Sequence, residues 1–342
     1  MKKIAVLLMS ALLSLSLASC TDRVSHTLEL NMVSLDDIGA IVLEPFYLEG
    51  KIVFSGVSES DIKSDSEFSY DSDDVQLYSV DMDNSKINKQ EQIIYDKVFS
   101  DEENYYWINR ENDSQLNLMK TDKESKKEEK LTSGENFTFP FEKYKDFIFW
   151  REVKEDSVNL VRFNVKTMEK DTVLTLPKED EFLYPEFTIC NGYAAGSYTD
   201  YRRKGHFIAV KNIENKKASE YCLQLDEPCI NAISDGKNIY YTQKDKIAVH
   251  NIETGEEKTI QLNFDSFVNI LKDRYLVFTK SDNDYTGVYY YDLVTEKISE
   301  IDTGDEAISS VKANADKTEL IFISSGKKEQ PKLSIGTVKF KS

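Results

Sequence analysis

CINAISDGKNIYYTQKDKIAVHNIETGEEKTIQLNF, residues 229–264, divides into four short strands. A run through Ile233 meets a turn at Ser234-Asp235-Gly236-Lys237. An aromatic strand, Ile239-Tyr240-Tyr241, is followed by a hairpin at Lys244-Asp245-Lys246 and by Ile247-Ala248-Val249. A second turn, Glu253-Thr254-Gly255-Glu256, leads into the alternating Lys258-Thr259-Ile260-Gln261-Leu262. Strands this short, punctuated by Asp-Gly and Thr-Gly, cannot bury an apolar face alone, so the unit has to recur.

It does recur. Seven anchors on the aromatic strand, Phe54, Trp107, Trp150, Ala195, Tyr241, Phe278 and Phe322, stand 37 to 53 residues apart. That is the band of propeller blades. A second marker follows one strand later, near Asp81, Thr121, Asn164, Asn212, Asn251 and Asp292, each a polar turn opener at a strand end. Helical signals are nearly absent outside the leader. Asp122 to Lys130 is better explained as a charged turn, and Val33 to Ala40 is the other candidate. The pattern predicts an all-β propeller of seven blades with four antiparallel strands each, six or eight standing as alternatives. The seventh module, from Ala307, is one strand short. His26-Thr27-Leu28-Glu29-Leu30-Asn31-Met32 resembles the outer strand Lys258 to Phe264, so residues 27 to 33 are expected to close the last blade.

The chain of 342 residues is 40% hydrophobic and 11% aromatic, enough to bury a large core without a metal or disulfide lattice. Its formal charge of −18 argues against non-specific nucleic-acid binding, which needs a basic surface. The first residues, MKKIAVLLMSALLSLSLASC, carry two lysines and an apolar run from Ile4 to Leu17, too short to span ~30 Å of hydrocarbon. This is an export signal. Leu17-Ala18-Ser19-Cys20 resembles the bacterial lipobox, which implies a signal peptide over 1–19, a lipid such as palmitate on Cys20, a short tether over 20–26 and one propeller domain over 27–342. The competing reading is a cut after Ala18 or Ser19 beside an incidental cysteine. Cys190, Cys222 and Cys229 remain. An odd number leaves at least one thiol without an intramolecular partner, and Cys222 with Cys229 are near enough in sequence to bridge or to stay as buried thiols.

Ser234-Asp235-Gly236-Lys237-Asn238-Ile239-Tyr240-Tyr241, and more loosely Asn314 to Phe322, resemble the blade signature of TolB-like and related WD-repeat-like bacterial propellers. The resemblance implies the fold and no particular activity, since propellers host many functions.

Chemistry-bearing motifs are scarce. His26, His206 and His250 have no paired metal spacing, and there is no HExxH, nucleophile elbow, phosphate loop or dinucleotide fingerprint. No catalytic residue, cofactor or metal is expected. The acidic groups Asp71-Ser72-Asp73-Asp74, Asp81 to Asn84 and Asp282-Asn283-Asp284 lack the glycine and glutamate that close an EF-hand loop and read as solvated turns. The aromatic runs at Tyr105 to Trp107, Phe149-Trp150 and Tyr289 to Tyr291 read as packing between blades rather than a sugar platform.

In a propeller the hairpins joining second and third strands gather on one face. Two stand out here. Ser55 to Asp74 is long, Ser-rich and acidic, the composition of a flap. Tyr198-Thr199-Asp200-Tyr201-Arg202-Arg203-Lys204-Gly205-His206 places tyrosines and cations together in an acidic chain, and Tyr and Arg are the side chains that dominate binding hot spots. Tyr198, Tyr201, Arg202 and Arg203, with Arg110 and Arg151 at related positions in earlier blades, form the candidate binding set. The competing reading is a hairpin tip whose cations pair with nearby carboxylates. The expectation is a monomeric lipoprotein of the bacterial cell envelope, anchored to a membrane through Cys20, that binds a protein, peptide or glycan as a non-catalytic module. The alternative is a propeller hydrolase or lyase using carboxylates at the central channel.

Overall fold

The computed structural model describes residues 28–62, 75–89, 98–112, 115–135, 137–178, 186–244, 246–282, 285–303, 307–314, 317–327 and 330–340. They form seven sheets of four antiparallel strands. Blades one to six cover 38–89, 99–135, 137–177, 186–225, 232–261 and 266–301, their strands lying side by side in chain order. Blade seven takes three strands from the end of the chain, Ile308–Ala313, Glu319–Lys327 and Gln330–Phe340. Its fourth is Leu28–Ser34, which pairs from Leu28↔Phe340 to Ser34↔Ser334. The expected closure by the N-terminal strand is therefore present, and it hides the edges that the two chain ends would otherwise leave open. The one helix among the described residues is the single 3₁₀ turn Glu59–Asp61. Val33 to Ala40 is strand, turn and strand, because Val33, Leu35 and Ile38 enter a core at the seam of blades seven and one.

Every aromatic anchor lies on the second strand of its blade. The apolar residues form seven clusters, one for each pair of neighbouring blades around the ring. Blades two and three, for example, meet through Tyr106, Phe141, Ile148 and Trp150. Tyr106, Phe149, Trp150, Tyr290 and Tyr291 are all buried, so the aromatic runs pack between blades. At about 1.5–3 kcal/mol for each large apolar side chain removed from water, these interfaces supply the main drive for ring formation. Charge also joins blades. The buried guanidinium of Arg162 on blade three grips Asp171 at 2.6 and 3.0 Å and donates to the Ile213 carbonyl of blade four. Burial would raise the Asp171 carboxyl, but Arg162 and Lys216 outweigh it and hold it below the usual range.

First strands of adjacent blades touch one another, as Glu186–Cys190 does with Ala232–Ser234, so they surround the axis. Antiparallel order then sorts the loops. Turns joining strands one to two and three to four share one end of the ring, the turn face; hairpins joining strands two to three and the blade-to-blade connections share the other, the hairpin face. The polar turn openers explain the second sequence marker. Asp81, Asp122, Asn164, Asn212, Asn251 and Asp292 each accept a backbone N–H two or three residues on, closing the turn after the third strand. In blade two the residue is Asp122, one beyond Thr121. The acidic group at Asp81 to Asn84 is such a turn. The acidic stretch 71–74, most of the expected flap (63–74) and residues 283–284 lie outside the described residues.

Candidate functional site

The hairpin of blade four joins Tyr193–Asp200 to Gly205–Asn212 in a register that sets Tyr198 opposite Phe207, Thr199 opposite His206 and Asp200 opposite Gly205. Residues 201–204 make the tip. Asp200 organises it: its carboxylate accepts the Arg203 backbone N–H at 2.9 Å and the Arg203 Nε–H at 2.5 Å. Those bonds outweigh burial and keep the Asp200 carboxyl below its usual range. The Arg203 guanidinium also lies 4.7 Å from the Phe207 ring centroid and donates to the Tyr198 hydroxyl at 3.4 Å. Below it, Tyr198 and Phe207 stack at 5.4 Å, and the Tyr198 hydroxyl is 3.6 Å from the Cys222 sulfur. Thr199 Oγ1 and His206 Nδ1 are 2.9 Å apart, which gives His206 a structural partner.

The six candidate residues therefore occupy different places. Tyr198 is buried in the core between blades three and four. Burial first, and then the Cys222 contact, push its hydroxyl pKa upward. Arg203 is tied into the tip by Asp200. Tyr201, 65% exposed, and Arg202 and Lys204 face solvent. Arg151 is half-buried on the second strand of blade three, and Arg110 is in the corresponding strand of blade two, Asn104–Asn112, with its side chain outside the described set. Cys20 also lies outside the described residues. Tyr201 and Arg202 are held on one ordered tip; Arg110 and Arg151 belong to separate blades.

The opposite end of the channel brings together residues that carry no motif. Asn191, in the first turn of blade four, donates through Nδ2 to Asp273 in the first turn of blade six at 2.5 Å, reaching past blade five. Lys272 N–H donates to the Lys317 carbonyl of blade seven at 3.1 Å. Behind these turns Cys190 is buried, which pushes its thiol up to about 11 while Lys317 opposes and Asp273 and Asp235 reinforce the shift. Asp235 is engaged by the N–H groups of Lys237 and Asn238 and by the Tyr240 hydroxyl at 2.8 Å. The signal available in the sequence was positional: the turn after each first strand also lies about the axis, and Asn191-Gly192 and Asp235-Gly236 mark two of them. Among the described residues no group of three metal-ligating side chains assembles. Cys190, Cys222 and Cys229 are free thiols.

The chain has the fold of a seven-bladed β-propeller. No family model matches it, and no curated protein does. The β-propeller domain of the Trilobed protease from Pyrococcus furiosus superposes with a TM-score of 0.56 at 10% identity, over 90% of this chain and 97% of that one. That domain has an open velcro topology, whereas here Leu28–Ser34 completes the last blade. An oligogalacturonate lyase in complex with manganese gives 0.55 at 12% identity, covering 93% of this chain and 92% of that chain. A puromycin-hydrolyzing peptidase of Mycobacterium tuberculosis gives 0.57 at 10%, this propeller matching 52% of that chain. At such identities the fold is what is shared, with peptidases and a lyase alike.

Proposed function

We propose that this protein is a lipid-anchored propeller of the bacterial envelope that binds a protein, peptide or glycan and performs no chemistry on it. The observation that carries this reading is the blade-four tip. An exposed tyrosine and an exposed arginine stand on a turn whose geometry is held by Asp200, Arg203 and the Phe207 ring. A pre-ordered tip loses little conformational freedom on binding, and an aromatic beside a guanidinium offers area and directional donors together. The cations Arg202 and Lys204 favour an acidic segment or glycan.

The test is capture from detergent-solubilised envelope with the full chain and with Tyr201→Ala and Arg202→Ala. A partner retained by the parent and lost by both variants, without change in their unfolding midpoint, is the expected result. Recovery of no partner, together with turnover of a glycan or peptide by the purified chain, would overturn it. The second reading, a hydrolase or lyase working at the channel, has one observation in its favour: Asp235 and Asp273 stand in the first turns of adjacent blades, at the turn-face end of the channel. Against it, Asp235 is already committed to three donors in its own blade. Loss of turnover in Asp273→Asn would support that reading.

A further inference from the structure

We infer that the propeller rides on the membrane with its turn face toward the lipid and its hairpin face, with the Tyr201–Arg202 tip, pointing away from it. The inference rests on the reading of Cys20 as the lipidated residue and deepens the binding reading by saying from which side a partner approaches.

Strand direction carries the argument. Leu28 pairs with Phe340 and Ser34 with Ser334, so the closing strand enters blade seven at the end where the last strand finishes. That end is the turn face, because the preceding hairpin, with Gly326 opposite Pro331, lies at the other. From Cys20 to Leu28 the chain has seven intervening residues, which reach at most about 25–30 Å when fully extended. A seven-residue strand already rises about 23 Å. To bring the hairpin face against the bilayer, the tether would have to run back along the outside of blade seven and use nearly its whole reach. The turn face needs none of it.

Two further observations agree. On the turn face the Asn191–Asp273 hydrogen bond crosses over blade five at the channel mouth and Lys272 N–H is tied to the Lys317 carbonyl of the neighbouring blade, which narrows that entrance for a ligand. Carboxylates on this face are also paired with lysines from neighbouring turns: Glu49 with Lys123 at 2.5 Å, Asp146 with Lys166 at 3.0 Å, and Glu214 with Lys145. In a chain of charge −18 this local pairing reduces repulsion from anionic headgroups.

Site-specific quenching decides the orientation. The acylated full chain carrying Cys222→Ala is placed on phosphatidylcholine–phosphatidylglycerol vesicles whose headgroups bear a nitroxide. Single fluorescent reporters are attached at Lys126→Cys and Glu253→Cys on the turn face, or at Glu155→Cys and Lys204→Cys on the hairpin face. Burial pushes the Cys190 and Cys229 thiols up to about 11 and about 12, so they stay unlabelled at neutral pH. The expected result is several-fold stronger quenching of the two turn-face reporters. Equal quenching of both pairs, or stronger quenching of the hairpin-face pair, overturns the orientation while leaving partner capture by Tyr201 and Arg202 standing. Cys20→Ala should abolish flotation with the vesicles. If the parent chain itself fails to float, the anchor and the orientation fall together, and the capture experiment still decides the binding reading separately.

Discussion

Blades four and five are neighbours on one plan, and they fill it in opposite ways. In blade five the second strand, Asn238–Gln243, buries two tyrosines, whose hydroxyls donate to Asp235 at 2.8 Å and to Glu257 at 2.5 Å. Blade four has Ala194, Ala195 and Gly196 on the equivalent strand. The space is taken by other strands: a Cβ on Gly196 would stand 2.7 Å from a Leu176 methyl of blade three and 2.9 Å from the Phe187 ring on blade four's own first strand. An interface needs its volume filled, and either partner can supply it. The hairpins differ in the same spirit. Blade five turns back tightly between Gln243 and Lys246, whereas blade four builds the Asp200-braced tip. Core and tip are thus separable, which is how one ring can hold a constant scaffold and one variable site.

The largest effect should come from the glycine where the two blades meet. Gly236 has φ +89°, and a Cβ there would overlap the Tyr193 ring of blade four. Gly255, in the other turn of blade five, has φ +72° with nothing within 4 Å. Gly255→Ala should therefore cost only the left-handed backbone penalty, about 1 kcal/mol. Gly236→Ala adds displacement of Tyr193 and should cost about 2–4 kcal/mol. Urea midpoints of the two variants measure the difference directly. Equal losses would mean that Tyr193 yields freely and that the seam between the blades is looser than its packing implies.

Gly236 was legible because Asp-Gly before an aromatic strand is a turn with a mechanism: Asp235 caps the N–H groups of Lys237 and Asn238, and Gly takes the positive φ. The blade count and the closure by the N-terminal strand were legible for the same reason, as local patterns repeated at a fixed period. The tip of blade four was visible as composition, Tyr and Arg in an acidic chain. The division of labour within it was not. Whether Arg203 faces a partner or Asp200 depends on where the hairpin register places Phe207 and on the burial of Tyr198 among Leu176 and Phe187 from elsewhere in the chain. Asn191 and Asp273 were invisible as a pair because 82 residues separate them and only ring closure brings their turns together.

Next in size is an alkaline effect on the thiols at the edges of these blades. Burial raises Cys190 to about 11 and Cys229 to about 12 in the folded chain. In the unfolded chain they titrate near the ordinary value of about 8.5. Between these values the folded state keeps a proton that the unfolded state has released, so stability is whole below the unfolded value and falls as pH rises toward the folded one. Each thiol should withdraw about 1–2 kcal/mol by pH 10. Cys190→Ala should accordingly lose less stability than the parent between pH 7 and pH 10. Parallel losses in the two proteins would show that the Cys190 thiol reaches solvent readily.

The smallest change in stability, and the sharpest test of the contrast between core and tip, concerns Asp200 and Arg203. Arg203 is exposed and Asp200, although only 6% exposed, braces a surface tip, so Arg203→Ala should unfold close to the parent midpoint and Asp200→Ala within about 1 kcal/mol of it. Asp235→Ala in blade five should not, because it strips the buried Tyr240 hydroxyl of its acceptor at a cost of about 1–3 kcal/mol. Partner capture should respond in the reverse order. Asp235→Ala keeps it, while both tip variants weaken it by letting residues 201–204 move. If Arg203 acts only through Asp200, the double variant retains as much partner as either single one, since the second substitution removes a contact already broken. Additive losses would instead place the Arg203 guanidinium on the partner, and the tip would then present two arginines rather than one.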